Sequence, residues 1–247
     1  FRRVLFRSDP AQLSLPAAFP QLARLEAEHG SIIKGFIRQA KANKARYAGH
    51  PYYGKVISFD GGLRVLTDAL AQQSIQIKTE QRVRGFNTTP TGWRINTEAD
   101  TWTADAVVLA VPAWCVMDME LPATLASPLA RLAQIPYPPV HVVALGFNRS
   151  GVGHPLDGFG FLVPAAEGRS VLGVQFASSI FDGRAPAGKV LLSAFIGGMR
   201  QPELTQLTAE QQIQVVLKDI GPLLQLREAP VYARVVAWAQ AIPQFTC

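Results

Sequence analysis

The chain has 247 residues, of which 48% are hydrophobic, and its 24 basic and 18 acidic residues give a formal net charge of +6. This length is sufficient for one large or two smaller domains with a buried core. The sequence contains no run of about 18 apolar residues, so it predicts no membrane-spanning helix. Two cysteines and four scattered histidines offer neither a disulfide framework nor a metal-ligand spacing, so the sequence predicts no metal site.

The first eight residues, FRRVLFRS, differ in character from the rest of the chain. Codons that encode this string resemble a common sequencing adapter. We therefore interpret residues 1–8 as a translated artefact and leave them out of fold reasoning. A short basic arm is the alternative interpretation.

Positive charge is concentrated in residues 1–55, which hold ten of the basic and three of the acidic residues, for a net charge of +7 against −1 elsewhere. Apolar residues recur there near helical spacing and predict a helix from about Gln21 to Lys44. The segment lacks the interleaved aromatic residues of a base-stacking surface, which argues against nucleic acid. A basic amphipathic helix on a membrane surface is one interpretation, and a plain solvated helix is the other.

The middle of the chain predicts a helix followed by strands. A helix is expected over Leu63–Gln72, with Asp60 as its N-cap. Strands are then expected at Ile75–Lys78, Arg82–Phe86 and Trp93–Asn96, with a turn around Pro90 between the last two.

An uninterrupted apolar run, TADAVVLAVP, occupies Thr103–Pro112. Such a run is typical of a strand buried on both faces, as in the parallel sheet of a nucleotide-binding domain. The G-x-G-x-x-G turn that accompanies such a strand in dinucleotide-binding proteins does not occur in this sequence.

The remainder of the chain predicts an α+β module with a mixed sheet. Its helices are expected at Ala123–Ala133 and Glu210–Gly221. Its strands are expected at Val140–Phe147, Phe159–Val163, Ser170–Phe176, Lys189–Ile196 and Val231–Trp238.

Several motifs together resemble the protoporphyrinogen oxidase family, FAD-dependent flavoproteins of haem biosynthesis within the flavin amine-oxidase-like superfamily. They are DPAQLSLPAAFPQLARLEAEHGSIIKG, SFDGGLRVLTDAL, ADAVVLAVPA, GFGFLVP, VLGVQF and AIPQF. The resemblance covers residues 9–247. It implies part of an FAD-binding α+β or α/β fold, with a mixed-sheet substrate domain and part of a helical membrane-binding domain.

The resemblance also implies a division of the chain. Residues 9–52 correspond to the end of the membrane-binding domain, 53–112 to the middle of the FAD-binding domain, and 113–247 to the substrate domain. Because the family's N-terminal G-x-G-x-x-G and C-terminal flavin segments are not matched, we expect the chain to be a fragment that is inactive by itself.

The resemblance assigns roles to seven residues and makes none of them a catalytic side chain. Val83 would approach the FAD adenine through its backbone, and Trp238 would lie near the flavin edge. The residues expected to face the tetrapyrrole substrate are Phe159, Gly160, Leu162, Gln175 and Phe195.

The implied activity is FAD-dependent oxidation of protoporphyrinogen or coproporphyrinogen to a porphyrin, with oxygen as acceptor. The implied location is cytoplasmic and peripheral on the inner face of the cell membrane, with a homodimer allowed. Two alternatives stay open. One is another flavin-dependent amine oxidase or desaturase of the superfamily, and the other is a non-catalytic module that binds tetrapyrrole or membrane.

Overall fold

The computed structural model describes residues 14–52, 56–73 and 76–245. The expected artefact at residues 1–8 lies outside these residues, as does Ile75 of the first expected strand.

The described residues form two compact units. The first comprises the residues up to Asp60 and those from Tyr137 onward, and the second comprises Gly61–Pro136. The division expected from family resemblance stays a prediction, because the two units are defined by compactness and not by function.

Eight strands and eight α-helices are formed by the described residues. The strands are β1 Val83–Thr89, β2 Gly92–Thr97, β3 Thr101–Ala104, β4 Val140–Asn148, β5 Gly160–Leu162, β6 Gly173–Gln175, β7 Lys189–Gly197 and β8 Tyr232–Trp238. The helices are α1 Leu15–Ala18, α2 Pro20–His29, α3 Ile32–Arg46, α4 Arg64–Ala71, α5 Ala113–Val116, α6 Ala123–Leu129, α7 Ala177–Ile180 and α8 Ala209–Leu224.

A five-stranded sheet in the order β5-β6-β7-β4-β8 organises the first unit. Each of its pairings is antiparallel. The expected combination of helices with sheets is confirmed, whereas the expected mixture of strand directions is replaced by an antiparallel sheet. Antiparallel sheets commonly bury one face and leave the other accessible, and this sheet follows that pattern.

Helix α8 covers the buried face of this sheet. Thr208 and Gln211 form a capping box that fixes where the helix begins. Val216 and Ile220 of α8 are fully buried in one cluster with Val143 and Leu145 of β4. Fully burying a side chain of this size stabilises the fold by roughly 1.5–3 kcal/mol, so the packing of α8 on β4 contributes substantially to the stability of the unit.

The predicted helix over Gln21–Lys44 is wrong in one respect, because the structure has two helices there. Gly30 ends α2 in the left-handed conformation, with φ of 63°. Ser31 then caps α3 by accepting a hydrogen bond from the backbone N–H of Lys34. A glycine that adopts a positive φ at no steric cost, followed by a capping serine, stops one helix and starts the next.

The expected N-cap of α4 is also wrong. The helix begins at Arg64, its N-cap position is Leu63, and no side chain caps it. Asp60 lies too far before the first helical residue to bond the orphan N–H groups of the first turn.

The three strands of the second unit form an antiparallel meander in the order β1-β2-β3. The predicted turn around Pro90 joins β1 to β2, and Phe86 of β1 packs edge-on against Trp93 of β2 at 5.6 Å between ring centroids. The predicted strands at these positions are confirmed, but residues 76–79 form no strand.

The predicted buried strand over Thr103–Pro112 is wrong for most of its length. Strand β3 stops at Ala104, and residues 105–112 are not in a strand. Val108 is 88% exposed. The run is apolar enough for a buried strand, but no described strand pairs with it, and a strand requires a hydrogen-bonded neighbour.

Candidate functional site

The side of the five-stranded sheet away from α8 is a broad surface that we call the open face. Because successive side chains of a strand point to opposite sides, and directly paired residues point to the same side, the pairings define its members. They are Val140, Val142, Ala144, Gly146, Asn148, Gly160, Leu162, Gly173, Gln175, Lys189, Leu191, Ser193, Phe195, Gly197, Tyr232, Arg234, Val236 and Trp238.

Large apolar side chains of the open face are accessible to solvent. Leu162, Tyr232, Val236 and Trp238 are between 37 and 56% exposed. Several large exposed apolar side chains on one surface commonly mark a binding site. Small residues at the middle positions, such as Ala144, leave space above the central strands for a ligand.

The open face collects most of the residues predicted to contact substrate. Leu162 pairs with Gly173, which pairs in turn with Phe195, so Leu162 and Phe195 share one row across three strands. Gln175 lies on the neighbouring row, opposite Gly160. The sequence separates these residues widely, and the strand pairing brings them onto one surface.

Trp238 joins the same face from its far edge. It ends β8 and pairs with Val140 of β4. The predicted flavin-edge residue therefore shares one side of one sheet with the predicted substrate residues Gly160, Leu162, Gln175 and Phe195. Val83 is placed differently: it is the half-buried first residue of β1 in the second unit.

Position 160 requires glycine for two structural reasons. Its φ is 131°, a backbone conformation that L side chains rarely adopt. A Cβ at this position would collide with the carbonyl oxygen of Val174 and lie 2.9 Å from the Cα of Gln175. The residue therefore allows the β5 backbone to lie close against β6 at the edge of the sheet.

Phe159 stands apart from the other predicted substrate residues. It comes one residue before Gly160, so the alternation along the strand places it on the side away from the open face. Its carbonyl accepts a hydrogen bond of 2.9 Å from the backbone N–H of Phe176. The residue is 64% exposed. It borders a separate cavity of about 350 Å³, lined also by Leu156, Asp157, Gly158, Ser179 and Ile180.

A partly buried arginine holds the chain that follows β5. Arg200 donates hydrogen bonds to the carbonyl of Val163, at 2.9 Å, and to that of Arg169, at 3.3 Å. Burial lowers the pKa of the Arg200 guanidinium from its ordinary value. These bonds fix the loop immediately after Leu162, and hence the edge of the open face.

Several members of the open face were not predicted from the sequence, most notably Arg234. Its signal was present, because Tyr232, Arg234, Val236 and Trp238 alternate along one strand. The alternation shows that they share a face, but the sequence does not show which face packs against a helix.

The chemistry available on the open face is binding and positioning. Its members include no carboxylate, histidine or cysteine, and its one lysine, Lys189, lies at the end of β7. Across the described residues, no group of three or more His, Cys, Asp or Glu side chains is arranged to hold a metal ion. An accessible apolar floor with a few polar groups suits a flat, largely apolar ligand.

A second surface of interest lies on α3. Gly35 is buried against α2, since a Cβ there would lie 2.8 Å from Cβ of Leu25. Ile33, Phe36 and Ile37, on the opposite side of α3, are 46–72% exposed. The helix therefore presents its apolar stripe to solvent and packs through glycine.

Basic residues accompany this stripe. Those of α3 are Lys34, Arg38, Lys41, Lys44 and Arg46, and each is exposed. No described helix is both long enough and apolar enough to cross a membrane. An exposed apolar stripe with basic neighbours is a pattern found in helices that lie in a membrane interface.

Comparison with known proteins gives one family and a consistent set of relatives. Residues 3–247 match the family described as "Flavin containing amine oxidoreductase". The mitochondrial protoporphyrinogen oxidase of Nicotiana tabacum is 31% identical over 270 residues, which cover 96% of this chain and 52% of that protein. Coproporphyrinogen III oxidase of Bacillus subtilis is 24% identical over 246 residues, covering 98% and 51%.

Solved structures agree on the fold. A crystal structure from Exiguobacterium sp. 255-15, provisionally named a protoporphyrinogen oxidase, matches 99% of this chain and 51% of its own with a TM-score of 0.75 and 21% identity. The structure of cyclohexylamine oxidase from Brevibacterium oxydans matches 96% of this chain and 48% of its own, with a TM-score of 0.59 and 15% identity. The chain spans about half the length of the curated relatives it matches.

Proposed function

The chain belongs to the flavin containing amine oxidoreductase family, and on that basis we propose that the protein containing it is an FAD-dependent oxidase that converts a porphyrinogen to a porphyrin. Protoporphyrinogen or coproporphyrinogen is the substrate, because relatives named for each match nearly the whole chain. The observation that carries the proposal is the open face. It brings Leu162, Gln175 and Phe195 beside one another on a surface suited to a flat macrocycle.

The residues of this chain fit one part of the cofactor and not another. Trp238, with an exposed indole at the edge of the open face, suits a flat ring system beside the substrate. The phosphates of FAD require a glycine-rich turn at a helix N-terminus, and this sequence contains no G-x-G-x-x-G. We therefore assign no phosphate-binding role to these residues.

The proposed reaction requires position more than side-chain chemistry. When bound, FAD would supply the acceptor for a hydride from a carbon of the macrocycle, with oxygen as the terminal oxidant. The open face would hold the ring through apolar contacts from Leu162 and Phe195 and exclude water from one side of it. Holding a substrate in a reactive orientation by itself lowers the barrier substantially.

Porphyrin fluorescence tests this proposal directly. The full-length protein, with bound FAD confirmed by absorbance, is mixed aerobically with protoporphyrinogen and, separately, with coproporphyrinogen. Fluorescence should rise faster than in a protein-free control. Cyclohexylamine and putrescine, assayed for peroxide formation, serve as contrast substrates. Turnover of an amine with no porphyrin above autoxidation would favour an amine oxidase instead.

For the α3 surface we propose peripheral attachment to the inner face of the cell membrane. Each surface Lys or Arg contributes about 1 kcal/mol near an anionic lipid surface. The cations of α3 can therefore hold the segment there while Ile33, Phe36 and Ile37 enter the headgroup region. Both contributions point to binding that depends on lipid charge and on salt.

Vesicle co-sedimentation tests the membrane proposal. The protein should bind phosphatidylcholine vesicles only when phosphatidylglycerol is added, and high salt should release it. A triple variant, Lys34→Glu with Arg38→Glu and Lys41→Glu, should bind roughly a hundredfold more weakly or worse. A control with the same charge change elsewhere, R94E/K218E/R227E, should still bind through α3. Equal loss in both variants would show that net charge, and not α3, governs attachment.

A further inference from the structure

The open face carries a charged side chain in its middle, Arg234 of β8. It pairs with Ala144 of β4 and lies between Tyr232 and Val236 on the same side of its strand. The other charged member, Lys189, lies where β7 begins, pairs with Asn148 of β4 and donates a hydrogen bond of 2.8 Å to its Oδ1. The middle of the face thus holds a single cation among apolar and small neutral side chains.

This cation is unpaired within the described part of the chain. No described carboxylate lies within 4.0 Å of the Arg234 guanidinium, and the guanidinium makes no hydrogen bond. The open face includes no acidic member. A guanidinium presents a planar fork of donors that matches a carboxylate in a bidentate manner, and this one is available to an external anion.

The distance of Arg234 from the other polar residues of the face indicates how large a bound ligand would be. Gln175, Ser193, Ala144 and Arg234 form one row across β6, β7, β4 and β8. Neighbouring strands are about 4.8 Å apart, so Arg234 lies roughly 14 Å from Gln175. A flat ligand that covers the small residues in the middle would bring its periphery to Arg234.

We propose that Arg234 binds a carboxylate at the periphery of the substrate and makes the site selective for a carboxylated macrocycle. The inference rests on the proposed function, because it takes a porphyrinogen as the molecule on the open face. Porphyrinogens carry propionate side chains at the ring edge, so the ring would cover the apolar floor while one propionate meets the guanidinium. Arg234 is a binding residue in this scheme and takes no part in the redox step.

The test compares acids with their neutral esters. The full-length, flavin-loaded protein is titrated with protoporphyrin and with its dimethyl ester, which share the same ring and differ in charge. The acid should bind more tightly. Arg234→Met should weaken acid binding roughly ten- to a hundredfold, the expected loss of a charge-assisted hydrogen bond, and leave ester binding nearly unchanged. Arg234→Lys should keep part of the preference.

A matched control is Arg94→Met, which removes an exposed strand arginine in the second unit and should change neither titration. Turnover measurements should place the effect of Arg234→Met in KM, with kcat and flavin content retained.

Equal binding of acid and ester by the unmodified protein would overturn the role of Arg234 and leave the oxidase proposal standing. Equal weakening of both ligands in Arg234→Met would show a structural role and would also overturn it. A protein that binds neither ligand and forms no porphyrin would overturn both proposals.

Discussion

Replacing Gly160 with alanine should destabilise the sheet edge that carries the open face. The added Cβ would collide with the carbonyl of Val174, and the backbone would keep a φ of 131° that alanine disfavours. Strained backbone of this kind costs of order 1–3 kcal/mol, and steric overpacking costs about as much again. Because β5 is an edge strand and can partly move away, we expect a net loss of about 3 kcal/mol in the free energy of unfolding.

Thermal unfolding followed by circular dichroism measures this loss. For a chain of this size, about 3 kcal/mol lowers the midpoint by roughly 6–12 °C. Gly158→Ala is the matched control, since a Cβ there meets nothing within 4 Å and the residue has no positive φ. It should change the stability by no more than about 0.5 kcal/mol. Equal midpoints for the two variants would refute the argument that Gly160 is required by its conformation and its close contact.

Three further predictions concern the core, the substrate wall and the cofactor. Ile220→Ala should cost about 2–5 kcal/mol in the free energy of unfolding, measured by urea denaturation, because Ile220 is fully buried; Leu223→Ala, at a residue 38% exposed, should cost clearly less. Leu162→Asp in the full-length protein should lower kcat/KM for a porphyrinogen and leave the flavin content nearly intact; equal loss of flavin would mean that the residue is structural. The 247-residue chain, purified with added FAD and desalted, should show little flavin absorbance, because its sequence has no pyrophosphate-binding turn; a stable yellow protein would contradict this.

Elements with a complete local signal were predictable from the sequence. Helix α8 was expected over Glu210–Gly221, and the structure extends it by one residue before and three residues after that range. Strand β4 was expected over Val140–Phe147 and ends one residue later. In both, the apolar period lies within the segment itself, so neighbouring residues suffice to identify the element. The motifs that indicated the family are local in the same sense.

Features that depend on a distant partner were decided by the tertiary structure. The run Thr103–Pro112 has the composition of a buried strand, but the strand stops at Ala104, because pairing and not composition makes a strand. The open face is the clearest example. Leu162, Phe195 and Arg234 lie far apart in sequence, and only the pairing of β5, β6, β7, β4 and β8 places them on one surface. Alternation along each strand determined which residues share a side. The packing of α8 on one face decided which side stays open to a ligand.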